Sequence, residues 1–166
     1  MREVLAGILL MSLAGCSDAG SPMPGDRIPI PDIAVADLLA VPETTQVDGR
    51  KLVLSTYLWR DFMPVSPPDG RPLAAILHVD ATDSLRLPAG LDADALWIVW
   101  TDRVWKSYCA GPTQGDPARP YGLQRSASGG PRWGPHVSVD VIVRILDAGG
   151  GMHLLRASHQ WIHRTD

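Results

Sequence analysis

Glutamate and lysine are nearly missing from this sequence. Glu3 and Glu43 are the only glutamates, and Lys51 and Lys106 the only lysines. Aspartate and arginine therefore carry almost all the charge, which disfavours long solvated helices. The formal net charge is only -3, so the basic footprint of a nucleic-acid binder is lacking and no nucleic-acid partner is expected. The motifs of several chemistries are also missing. There is no HExxH or CxxC to hold a metal, no G-x-S-x-G nucleophile elbow, and no glycine loop placed to cradle phosphate ahead of a helix. Neither a catalytic residue nor a cofactor is expected, and the chain does not read as an enzyme. The only cysteines are Cys16 and Cys109.

What the chain has in quantity is punctuation. Fifteen prolines and sixteen glycines are spread through 166 residues. That length favours one domain, and the punctuation favours many short elements joined by turns.

The N-terminus is the most informative stretch. Arg2 supplies a positive charge, and the mostly apolar run Val4–Leu13 follows. With Ala14 and Gly15 the stretch is about 12 residues, too short to cross a bilayer core of about 30 Å as a helix. It has the length of a signal-peptide core. Leu13-Ala14-Gly15-Cys16 then closes the run with small residues and a thiol. This pattern resembles the lipobox of bacterial lipoproteins. The resemblance covers only the first 16 residues or so. It implies cleavage before Cys16, a diacylglycerol on its sulfur, and an acyl chain such as palmitate on the new amine. Several chains at about 0.8 kcal/mol per buried methylene anchor a protein where one does not. Ser17, rather than aspartate, follows the cysteine. In a Gram-negative host the resemblance then implies the outer membrane, with the domain facing the periplasm. With Cys16 acylated, Cys109 has no intramolecular disulfide partner, and burial as a small hydrophobe is its expected role.

Residues 1–15 thus read as a signal peptide and residues 16–32, rich in Gly, Pro, Ser and Asp, as a flexible tether. Residues 33–166 read as a β domain. Ile33–Val41 fits either a short strand or a turn or two of helix. Arg50–Met63 reads as a strand with Leu52, Leu54, Leu58 and Phe62 on one face. Pro64–Pro72 reads as a loop and Leu73–Val79 as an alternating strand. Leu87–Ala95 reads as a connection, and Leu96–Trp105 has the aromatic and β-branched content of strands. The clearest strand is His136–Leu146, with Val137, Val139, Val141, Val143 and Ile145 on one face. Asp147–Gly151 turns the chain into a last strand, Met152–Ile162. The expected fold is mainly β, an antiparallel β-sandwich of immunoglobulin-like or transthyretin-like topology, with a small barrel as the alternative.

Two stretches stand out as candidate contact surfaces for an envelope protein partner. One is Trp59-Arg60-Asp61-Phe62-Met63, where aromatic and arginine residues favoured at binding hot spots crowd a strand end. The same residues would also serve to fix a sheet corner. The other is Ser107–Pro135, a long connection with eleven Gly or Pro residues and Arg119, Tyr121, Arg125, Arg132 and Trp133. Long connections of this kind are often functional. Metal or small-ligand binding is the alternative reading, through His136, His153 and His159 of the C-terminal hairpin. His153, His159 and His163 share strand parity, but positions four apart lie roughly 13 Å from each other along a strand. A metal site would therefore need histidines from different strands. Asp80/Asp83 and Asp92/Asp94 lie in turn-like contexts, where aspartate ordinarily turns the backbone.

Overall fold

The computed structural model describes residues 27–111 and 119–166. The residues read as a signal peptide and a lipobox, with Cys16, lie outside the described residues.

The described residues form one short helix and eight strands. Helix α1 spans Val35–Leu39. The strands are β1 Thr44–Val47, β2 Arg50–Asp61, β3 Ala74–Ala81, β4 Asp92–Trp100, β5 Arg103–Tyr108, β6 Gly122–Ala127, β7 Ser138–Leu146 and β8 Met152–Thr165. They follow the order β5-β4-β7-β8-β2-β3-β6, with β1 beside β2. The result is a mainly β, curled mixed sheet that makes a half-barrel. It differs from an antiparallel sandwich in one decisive pairing: β2 and β8 run parallel, with Leu58 opposite Ile162. A single bridge, Ala110 to Ser126, links the end of β5 to β6 across the opening.

The long strand β8 joins the two halves. Its first part pairs with β7, Met152 opposite Leu146, and its last part pairs with β2. Between them Ser158 and His159 face the single residue Asp140, and His159 takes a left-handed backbone with φ of 53°. One inserted residue bends a strand and reverses which residues face inward. Leu155 and Ala157 point to the core before the bulge, and Ile162 after it. The histidine parity expected from an uninterrupted strand is therefore broken at His159.

The concave face holds the main core. β3 contributes Leu77 and Val79, β7 Val139, Val141, Val143 and Ile145, and β2 Leu52, Leu54 and Leu58. These are the alternating apolar positions of the sequence, and burying them is the main force for closing the curl. A second, smaller core lies on the opposite face of β4 and β7. There Leu38 of α1 and Val41 cover Trp97, Val99 and Ile142. This cover explains why β4 and β7 are apolar on both faces. A bulge at Asp94, where the register shifts between Ala93 and Ala95, puts Ala93 on the same face as Leu96 and Ile98, in the main core.

Three differences from the sequence reading have local causes. Leu96–Trp105 is a hairpin, because Thr101 takes a left-handed turn with φ of 56° between β4 and β5. Part of the expected connection Leu87–Ala95 belongs to β4. The long connection 107–135 contains strand β6, which pairs with β3 from Gly122 to Ala127. Among the described residues no helix is long and apolar enough to cross a membrane.

Candidate interaction surface

The strand directions divide the molecule into two ends. At one end lie the start of β2, the end of β3, the start of β4 and the β7–β8 turn. At the other lie the end of β2, the loop 62–73, the β4–β5 turn and the end of β8. The candidate contact residues do not form one patch. Trp59, Arg60, Asp61, Arg132 and Trp133 belong to the second end, and Arg119 and Tyr121 to the first.

Three of them are buried and leave the candidate surface. Arg60, 4% exposed, is a corner staple. Its Nε donates to the Arg71 carbonyl at 3.0 Å, and its Nη1 to the carbonyls of Arg132 at 3.1 Å and Gly134 at 2.7 Å. Its Nη2 donates to the Asp69 carbonyl. Burial, with repulsion from Arg132, lowers its pKa from the ordinary arginine value. The sequence offers this corner role beside the binding role, and the buried geometry takes the corner. Arg125 is buried and pairs with Asp92, with Nε to Oδ1 at 2.9 Å. Trp133 is buried against Trp100, with ring centroids 5.6 Å apart.

The others are accessible but committed to neighbours. Asp61 pairs with Arg71 at 3.3 Å and Arg132 with Asp69 at 3.1 Å. Arg119 pairs with Asp80 at 2.8 Å and lies over the Tyr121 ring. The paired aspartates of the sequence have partners of the same kind. Asp83 bonds the Leu85 amide and Arg50, which together lower its pKa. Asp94 takes a two-pronged bond from Arg144, Nε to Oδ1 at 2.7 Å and Nη2 to Oδ2 at 2.5 Å. Cys109 is also spoken for. Burial, with Asp94 adding to it, pushes its thiol up to about 12, so it stays protonated at neutral pH and is a poor nucleophile.

The three hairpin histidines do not converge. His153 Nε2 lies 3.0 Å from Asp147 Oδ2 in the β7–β8 turn, where the Asp147 Oδ1 accepts from the Gly149 and Gly151 amides. That hydrogen bond from His153, then those from the amides, hold the Asp147 carboxyl below its ordinary pKa. His159 occupies the β8 bulge, and His136 lies at the far end, where its amide donates to the Ile162 carbonyl. Among the described residues no group of three or more His, Cys, Asp or Glu is arranged to hold a metal.

The accessible aromatic surface lies on the convex face instead. Tyr57 and Trp59 alternate with the inward leucines of β2 and stack with centroids 5.5 Å apart. His163 of β8 stacks on Tyr57 at 5.1 Å. Trp161 is 57% exposed, and Tyr57, Met63 and Val65 are exposed too. Sequence reasoning missed Tyr57, Trp161 and His163. A signal existed for Tyr57 and Trp59, since large aromatics stand on the parity opposite Leu52, Leu54 and Leu58. For Trp161 the bulge at His159 hid it.

No family model, curated protein or solved structure matches the chain.

Proposed function

We propose that the protein is a lipid-anchored lipoprotein of the bacterial cell envelope whose β domain is a non-catalytic module for binding another envelope protein. In a Gram-negative host it belongs to the outer membrane and faces the periplasm. The observation that carries the reading is Leu13-Ala14-Gly15-Cys16, closing an apolar run behind Arg2. Cys16 is the lipidated residue. The partner surface is the convex aromatic face, Tyr57, Trp59, Trp161 and His163, with Asp61, Met63 and Arg132 at its rim. Exposed tryptophan and tyrosine next to arginine are the residues that anchor protein interfaces.

The test is in-cell crosslinking of the full-length protein with a photoreactive residue at Trp161, beside labelling with an alkyne fatty acid. Label lost on Cys16→Ala, together with a reproducible envelope protein crosslinked from Trp161 but not from Lys106, is the expected result. Unchanged label in Cys16→Ala removes the anchor. A crosslinking pattern identical from both positions removes the convex surface.

A further inference from the structure

The clearest unexplained feature is how firmly the start of the domain is pinned. Residues 27–31 fall within the stretch that composition assigns to a tether, yet the carbonyls of residues 28–31 are held one after another. Arg144, buried at 3% exposure, donates to the carbonyls of Ile28 and Pro29, both at 2.9 Å. Tyr108 Oη donates to the Ile28 carbonyl at 3.3 Å. Lys106 Nζ donates to Ile30 at 3.2 Å, and Trp97 Nε1 to Pro31 at 3.3 Å. Arg27 lies over the Tyr108 ring. The chain therefore leaves the domain at one fixed point, beside the Tyr108 end of β5.

That exit point belongs to the end opposite the candidate partner surface. Tyr108 stands opposite Ala95 near the start of β4, and the start of β4 adjoins the end of β7 at Leu146, opposite Met152. Cys16 is eleven residues before Arg27. A relaxed chain of that length spans about 20 Å, and a fully extended one about 40 Å. The exit end is thus confined near whatever holds Cys16.

The residues exposed at that end suit a bilayer surface. Ile28, Leu85 and Met152 are three of the exposed large hydrophobics. Arg27, Lys51 and Arg86 are exposed there, and none has a carboxylate partner among the described residues. The carboxylates at this end are paired with Arg50, Arg119, Arg125, Arg144 and His153, leaving Asp48 as the one without a cation among the described residues. Among the described residues, three cations without a carboxylate partner against one such anion, beside exposed aliphatic side chains, complement anionic lipid headgroups.

We propose that this end docks on the membrane surface, with Leu85 and Met152 entering the headgroup layer and Lys51 and Arg86 against lipid phosphates. This rests on the lipid-anchor reading, and it turns the convex aromatic face away from the bilayer.

The experiment is amide hydrogen exchange on the full-length protein reconstituted into phosphatidylcholine vesicles with and without phosphatidylglycerol. Mass spectrometry of the N-terminal peptide reads the state of Cys16 in the same sample. The expected result is slowed exchange in 82–91 and 147–152 that needs phosphatidylglycerol, with 62–72 unchanged. Lys51→Ser and Arg86→Ser should each weaken that protection about fivefold, the effect of about 1 kcal/mol per basic residue near an anionic surface. Lipid on Cys16 without protection of the exit end, or with equal protection of both ends, overturns the docking and leaves the anchor. Protection of the exit end with an unmodified Cys16 keeps the docking and overturns the anchor.

Discussion

Replacing Arg144 with methionine is the most searching test of how this domain is held together. The guanidinium is almost fully buried and does two tasks at once. It neutralises Asp94, itself mostly buried, and it satisfies the carbonyls of Ile28 and Pro29. Its pKa is raised, first by the hydrogen bond to Asp94. Methionine fills much of the volume but leaves a buried carboxylate without a counter-ion and two carbonyls without this donor. Removing one partner of a buried ion pair costs about 3–5 kcal/mol. At roughly 2–4 °C per kcal/mol for a chain of this size, the midpoint should fall by roughly 6–20 °C. Two assays are needed: thermal unfolding by near-ultraviolet circular dichroism, and amide exchange of residues 27–33, which should accelerate as the pinned segment comes loose. The double variant Asp94→Asn/Arg144→Met removes the uncompensated charge and should recover at least about 1 kcal/mol, because an unpaired buried charge is the main cost. A loss below about 1 kcal/mol in Arg144→Met, or a double variant no more stable than the single one, would refute the reasoning.

Three further predictions concern Cys109 and Gly70. Cys109 in the native protein should react with a thiol reagent at pH 8 far more slowly than in urea, and equal rates would show that its burial is wrong. Its folded pKa is raised from an ordinary value of 9.0 to about 12, so the native state keeps a proton that the unfolded chain releases. The stability tied to it is fully present below pH 9 and is lost as pH rises through about 12, which urea titration against pH would register as a falling midpoint. Gly70→Ala should cost more than about 1–2 kcal/mol, the ordinary penalty of a left-handed backbone for an L-residue. Gly70 has φ of 73°, and an added Cβ would meet the Phe62 ring at 2.6 Å. A urea midpoint within error of the parent would mean that the Phe62 corner is loose.

How far the sequence reached depends on whether a strand is regular. Where side chains alternate without interruption, parity told the truth. Leu73, Ala75, Leu77 and Val79 are all in the core, as are Val139, Val141, Val143 and Ile145. The turn at Asp147–Gly151 was also legible, since aspartate, alanine and then three glycines have few other uses. Parity failed at His159, where an inserted residue reverses the faces. Nothing local distinguishes such a residue, because a bulge is a property of two strands in register. The candidate site was legible only in part for the same reason. Arg60 and Arg125 look like contact residues in a linear reading, and only the packing of loop 69–71 and of Asp92 onto them makes them internal.

By itself the sequence determined a mainly β domain and its strongest strands, and it carries Leu13-Ala14-Gly15-Cys16, which resembles a lipobox. These follow from local signals: period-two hydrophobicity, turn residues, and a short apolar run ending in a cysteine. The tertiary structure decided the parallel pairing of β2 with β8, the second core under α1, and the pinning of residues 27–31 by Arg144. Each of these depends on groups far apart in the chain, up to 116 residues between Ile28 and Arg144. Long-range contacts are chosen by the burial and hydrogen-bond demands of the whole sheet, and no stretch of sequence carries those demands alone.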